Sequence, residues 1–112
     1  MASADDLWLV DFGDPYPGEP GAHRPALVLG PPDTFGLDFP FVISVPLTTA
    51  RRVLSLHVEI EPGGETGLDE TSYAQCELIR SISRRRLVHR LGHIDPKTSH
   101  RVTSVVKTLM NH

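Results

Sequence analysis

The chain has 112 residues and a net charge of −3, with 39% hydrophobic and 22% charged residues, a balance that fits one folded domain over 1–112 and excludes a disordered chain. No apolar run approaches the roughly 20 residues a membrane-crossing helix needs, and no basic segment with a long apolar stretch opens the chain. A single cysteine, Cys76, precludes an internal disulfide, so the expectation is a cytoplasmic protein with no membrane partner.

In chain order, residues 7–12 read as a first strand, followed by a turn-rich loop over 13–22 that carries Pro15, Pro17, Gly18, Pro20 and Gly21. Residues 25–30 and 41–47 give a second and a third strand. Over 56–61 the alternation is clean: Leu56, Val58 and Ile60 on one face, His57, Glu59 and Glu61 on the other, as in a half-buried strand. Gly63 and Gly64 end it. Residues 73–82 read as one further strand, Ser83 and the arginines 84–86 as a solvated turn, and 87–94 as a last short strand. Asp95-Pro96 marks a helix start, an N-cap followed by a proline whose missing N–H has no partner in the first turn. Val102, Val105, Val106, Leu109 and Met110 then recur on one helical face. The pattern is about six short antiparallel strands with one C-terminal helix, and so small a sheet covers its edges by curling into a barrel.

Two polar residues converge in this arrangement. Arg24 precedes Pro25 and is held extended at the start of the second strand, while Thr48 closes the third. In an antiparallel hairpin centred near residue 36, paired positions add to about 71 or 72, and Arg24 with Thr48 gives 72. The loop bearing Glu19 leads into the same end of the sheet. An arginine can bind a phosphate through two parallel hydrogen bonds, a threonine adds a neutral donor, and an ionised carboxylate can accept a proton from a ribose hydroxyl. The plain alternative is structural, with Arg24 paired to a loop acid and Thr48 ending a strand.

Val10-Asp11-Phe12, then Gly18-Glu19-Pro20-Gly21-Ala22-His23-Arg24-Pro25-Ala26-Leu27-Val28-Leu29, then Val45-Pro46-Leu47-Thr48-Thr49 resemble the MazF/PemK (Kid) toxins of bacterial toxin–antitoxin systems. The likeness continues through Gly67-Leu68-Asp69, Ile79-Arg80-Ser81-Ile82 and the closing helix. It implies a PemK/CcdB-like, SH3-type small barrel acting as a homodimer. It also implies a metal-independent, cofactor-free endoribonuclease that cuts single-stranded RNA at short sequences and arrests translation and growth. A MazE-like antitoxin would block the RNA groove with an extended, acidic C-terminal segment. The family's catalytic arginine and threonine fall on Arg24 and Thr48, and the acid of its loop motif on Glu19.

The resemblance has departures. The usual Gly-Asp or Gly-Glu pair before the first strand is Asp5-Asp6 here, the common Ser-Glu-Gln loop is Gly18-Glu19-Pro20, and a frequent acid-Gln pair is Glu77-Leu78. A leucine has neither the donor nor the acceptor of glutamine, so base preference is expected to differ.

Charge is unevenly spread, with 3 Lys/Arg against 12 Asp/Glu over residues 1–70 and 8 against 2 over 71–112, as suits an anionic partner on one face. Candidate RNA contacts are His23, Thr49, Arg51, Arg52, Glu77 and Arg80, with Arg51 and Arg52 ranked first because they follow Thr48 closely. The segment 53–57 is expected to help set base preference. Cys76 reads as a small buried hydrophobe rather than a nucleophile, Trp8 as a core residue, and His89 with His93 matches no closed zinc motif. Two other functions fit the same barrel: a CcdB-like poison of DNA gyrase, and a binding module without catalysis. Arg24 and Thr48 at matching positions favour the ribonuclease.

Overall fold

A computed structural model describes residues 2–13, 17, 22–32, 39–52 and 54–112. Among them seven strands, β1 (Asp6–Asp11), β2 (His23–Gly30), β3 (Phe41–Thr48), β4 (His57–Ile60), β5 (Ser72–Gln75), β6 (Arg80–Ser83) and β7 (Leu87–His93), precede one helix, α1 (Pro96–Leu109). All pairings are antiparallel, in the order β4-β5-β3-β2-β1-β7, with β6 also on β3.

The seventh strand corrects the reading of 73–82 as one element. Both β5 and β6 pair with the same edge of β3, but the register slips by three residues between them. The three are Cys76, Glu77 and Leu78, extruded as a 3₁₀ turn. A single strand becomes two, and Glu77 leaves the sheet.

The sheet closes on itself through the loop after β4. His93 N–H donates to the Glu65 carbonyl at 2.8 Å, and a side chain at Gly92 would meet the Glu65–Thr66 backbone. Gly67, at φ +70°, lies as closely against the Leu91 backbone. Only glycine permits both the approach and the left-handed turn.

Alternation along the strands builds two apolar layers. Leu7, Leu27, Val45, Leu47, Val58, Ile60 and Ala74 form one with Val102 of α1. Val10, Phe12, Ala26, Val28, Val42 and Ile82 form the other, with half-buried Trp8 against it. Full burial of each leucine or valine side chain contributes about 1.5–3 kcal/mol. The helix begins as the sequence indicates, with Thr98 N–H donating to Asp95 Oδ1 at 2.7 Å, which holds that carboxyl below its ordinary pKa. Its apolar stripe is covered only in part: Val102 is buried, whereas Leu109 and Met110 are exposed.

Asp5 holds an unusual turn just ahead of β1. Its φ is +74°, a conformation that favours glycine, and aspartate is among the few residues that tolerate it. Ser99 of α1 donates to its Oδ1 at 2.7 Å, while its own N–H reaches the Val28 carbonyl at 2.8 Å. The side chain thus ties the start of β1 to the helix. Asp6 beside it pairs with Arg90 at 3.2 Å.

Candidate active site

The β2–β3 register carries Ala26 opposite Pro46, Leu27 opposite Val45 and Val28 opposite Ser44. Continued two residues to the sheet end, it sets Arg24 against Thr48, as the hairpin arithmetic requires. Both line a cleft of about 190 Å³ together with His23, Pro25, Leu47, Thr49 and Ser72. Arg24 is half-buried, and no carboxylate lines this cleft among the described residues. A guanidinium beside apolar walls meets a reduced local dielectric, which strengthens its pull on an anion.

Thr48 has a defined hydrogen-bonding role. The Ala50 N–H donates to Thr48 Oγ1 at 3.1 Å, so the hydroxyl oxygen is held while its hydrogen is free to donate to a guest. Thr49 adds a second hydroxyl, whereas the Ser72 hydroxyl already donates to the Glu70 carbonyl at 3.1 Å. One cation and two threonine hydroxyls are donors that a phosphate could use.

Of the residues singled out from sequence, His23, Arg24, Thr48 and Thr49 come together here. Glu19 lies outside the described residues, as does Val53 of the 53–57 segment. Arg51 and Arg52 are exposed just beyond β3, outside the lining. Arg80 does not line the cleft; it stands opposite Ser44, on the face that Thr48 shares, with its guanidinium 5.7 Å from the Phe12 ring centroid. Glu77 sits on the extruded turn.

The arginines 84–86 are not merely a solvated turn. Arg84 Nε donates to the Phe39 carbonyl, and Arg86 Nη1 to the Asp11 carbonyl at 3.2 Å. Asp11 belongs to the base of the β1–β2 loop, where Phe12 N–H meets the Ala22 carbonyl and Ala22 N–H the Gly13 carbonyl, each at 2.9 Å. Ala22 takes φ +46°, a strained conformation immediately ahead of the strand that carries Arg24.

One polar pair escaped the reading of the sequence. His57 was placed with Glu59 and Glu61 on an outward face, yet its side chain is 2% exposed and its Nε2 lies 2.9 Å from Glu77 Oε2. The alternation puts His57 on the right face, but nothing in it announces that a turn 20 residues on will fold Glu77 over the ring. Cys76 is buried, and burial with the neighbouring Glu77 charge pushes its thiol up to about 11, which suits a packing residue.

A small curled sheet with a cleft lined by an arginine and hydroxyls at one end is the class that fold and site define. Within it, the chain belongs to the PemK-like, MazF-like toxins of type II toxin–antitoxin systems, whose sequence profile matches residues 4–110. The fold is similar to that of MazF from Deinococcus radiodurans, with a TM-score of 0.82 and 21% identity, covering 99% of this chain and 97% of that one. It is also similar to a mycobacterial endoribonuclease in complex with its cognate antitoxin, at a TM-score of 0.79 and 20% identity, covering 99% and 96%. The Mycobacterium tuberculosis toxin MazF-mt6 matches at 0.77 and 17%, covering 95% and 96%.

Proposed function

We propose that this toxin is a metal-independent endoribonuclease that cuts single-stranded RNA at a short sequence, leaving 2′,3′-cyclic phosphate and 5′-OH ends. The observation that carries the reading is the meeting of Arg24 and Thr48 in one cleft lined by hydroxyls and no described carboxylate. The ribose 2′-OH attacks the adjacent phosphorus, the P–O5′ bond breaks, and the departing oxygen takes up a proton. Arg24 donates to the non-bridging oxygens as negative charge grows on them, and it acts as an electrostatic group because a guanidinium hardly ever deprotonates. The Thr48 hydroxyl, oriented by Ala50 N–H, supplies a second donor. Glu19 is our candidate to accept the 2′-OH proton. His23 and Thr49 line the path of the strand, and Arg51 and Arg52 contact backbone phosphates beside it. The proposed role of Arg80 is more distant, given its stacking on Phe12.

The partners follow from the same reading. An antitoxin of the MazE kind would lay an acidic C-terminal segment over Arg24, Arg51 and Arg52, and a solved mycobacterial relative carries a cognate antitoxin. A homodimer is supported by an apolar groove of about 600 Å³ along β3, where Phe41 and Ile43 are exposed beside Leu29, Ile79 and Val106. The deciding test is cleavage of a mixed-sequence RNA in excess EDTA, with both new ends mapped. Cuts at a shared sequence with 5′-OH ends are expected. Intact RNA with folded, antitoxin-free protein would overturn the reading in favour of gyrase poisoning or simple binding.

A further inference from the structure

We propose that His57 is a positioning residue that aims the Glu77 carboxylate at an amino-bearing base beside the scissile phosphate. This rests on the ribonuclease reading above and deepens it by naming what sets base preference.

The sheet registers place the groups. Thr48 stands opposite Tyr73, Tyr73 opposite Glu59, and Gln75 opposite His57. Directly opposed residues project to one side, and side chains two apart along a strand share that side. Thr48, Tyr73, Gln75, Glu59 and His57 therefore occupy a single face. Glu77 follows Tyr73 by four residues, up to about 13 Å along the chain. It is set to meet a neighbouring base, not the reacting phosphate.

The geometry at Glu77 limits what it can read. An ionised carboxylate only accepts, so the 2.9 Å contact requires a proton on His57 Nε2. The imidazole is almost wholly enclosed, whereas the Glu77 side chain is 31% exposed, so the pair is anchored at its histidine end and open at its acid end. Among the described residues only Oε2 of Glu77 is engaged. Oε1 is left as one acceptor of fixed direction. A single acceptor suits the amino group of cytosine or adenine and repels the carbonyl-flanked edge of uracil. Guanine's paired donors would call for both oxygens.

A second observation separates this cluster from ordinary packing. His57 Nδ1 and Gln75 Oε1 are both buried without a hydrogen-bond partner among the described residues, and the two side chains stand opposite each other. Buried polar atoms without a partner are uncommon in a folded interior, and each calls for a reason. An apolar residue at 57 would leave no such atom of its own unpaired.

The test uses a defined RNA carrying the mapped cleavage site and companions with single changes at each flanking base, cut by the full-length protein in EDTA. The wild type should prefer cytosine or adenine over uracil at one flanking position. Glu77→Gln should lower that preference about tenfold. His57→Leu should lower it at the same position, and His57→Gln, which keeps an N–H toward Glu77, should restore most of it. Equal slowing on every RNA by His57→Leu would indicate a structural role and overturn the proposal. An unchanged preference in Glu77→Gln, a variant at an open side chain that does not threaten folding, would do the same. A wild type that cuts no RNA overturns the ribonuclease reading and this inference together, whereas cutting indifferent to residues 57 and 77 overturns this inference alone.

Discussion

The cleft at Arg24 and Thr48 is less than half the size of a second one at the start of α1, about 190 Å³ against 470 Å³. The larger is lined by Glu59, Glu61, Glu65 and Asp95 with Lys97 and Arg101. Its acids crowd one another: a hydrogen bond to Glu59 and the like charge there raise the Glu61 carboxyl above its ordinary pKa. A polyanion approaching that cleft meets four carboxylates against two cations, while at the smaller one it meets an arginine and hydroxyls. On the proposed reading, charge and donor chemistry, not volume, favour the smaller cleft for a phosphodiester.

The comparison breaks first at Arg24. Arg24→Ala should cut the rate of RNA cleavage by about 10²- to 10³-fold, as loss of a principal donor to a developing oxyanion does. Retained activity would move the chemistry elsewhere. Thr48→Ala should cost about 10- to 100-fold, less because a neutral donor is weaker than a charged one, and Thr48→Ser should recover much of it. At the rim, replacing Arg51 and Arg52 together by alanine should lower the slope of log affinity against log salt by about 1.4 without changing the sequence cut. The smallest effect belongs to the larger cleft. Because the Glu61 pKa is raised on folding from an ordinary 4.5, the stability it contributes is present below about pH 4.5 and is lost as pH rises through the higher folded value. Glu61→Gln should therefore raise the melting temperature slightly at pH 7 and leave it nearly unchanged at pH 4, by thermal unfolding at both pH values.

Much of this site was legible because hairpin pairing is arithmetic. A loop centred near 36 narrows the pairing to sums of about 71 or 72, and the observed register of Ala26 with Pro46, continued past the bulge-free end, brings Arg24 to Thr48. The helix start was equally plain from Asp95-Pro96. What the sequence hid were interruptions and partners. Cys76-Glu77-Leu78 has the composition of a strand between strands, and only its pairing with β3 reveals the three-residue slip. His57 obeys period-two alternation and is nonetheless enclosed, because burial of a polar-face residue depends on what folds over it. A run of arginines likewise gives no sign that two of them bind the carbonyls of Phe39 and Asp11.

The most direct measurement compares the wild type, Arg24→Ala and Glu61→Gln on one single-stranded RNA in excess EDTA, with folding of each checked by circular dichroism. The account predicts wild-type cleavage by Glu61→Gln and a loss of at least about 10²-fold in Arg24→Ala. An Arg24→Ala protein that cuts as fast as the wild type, or a Glu61→Gln protein that is inactive, would contradict the assignment of the chemistry to the smaller cleft.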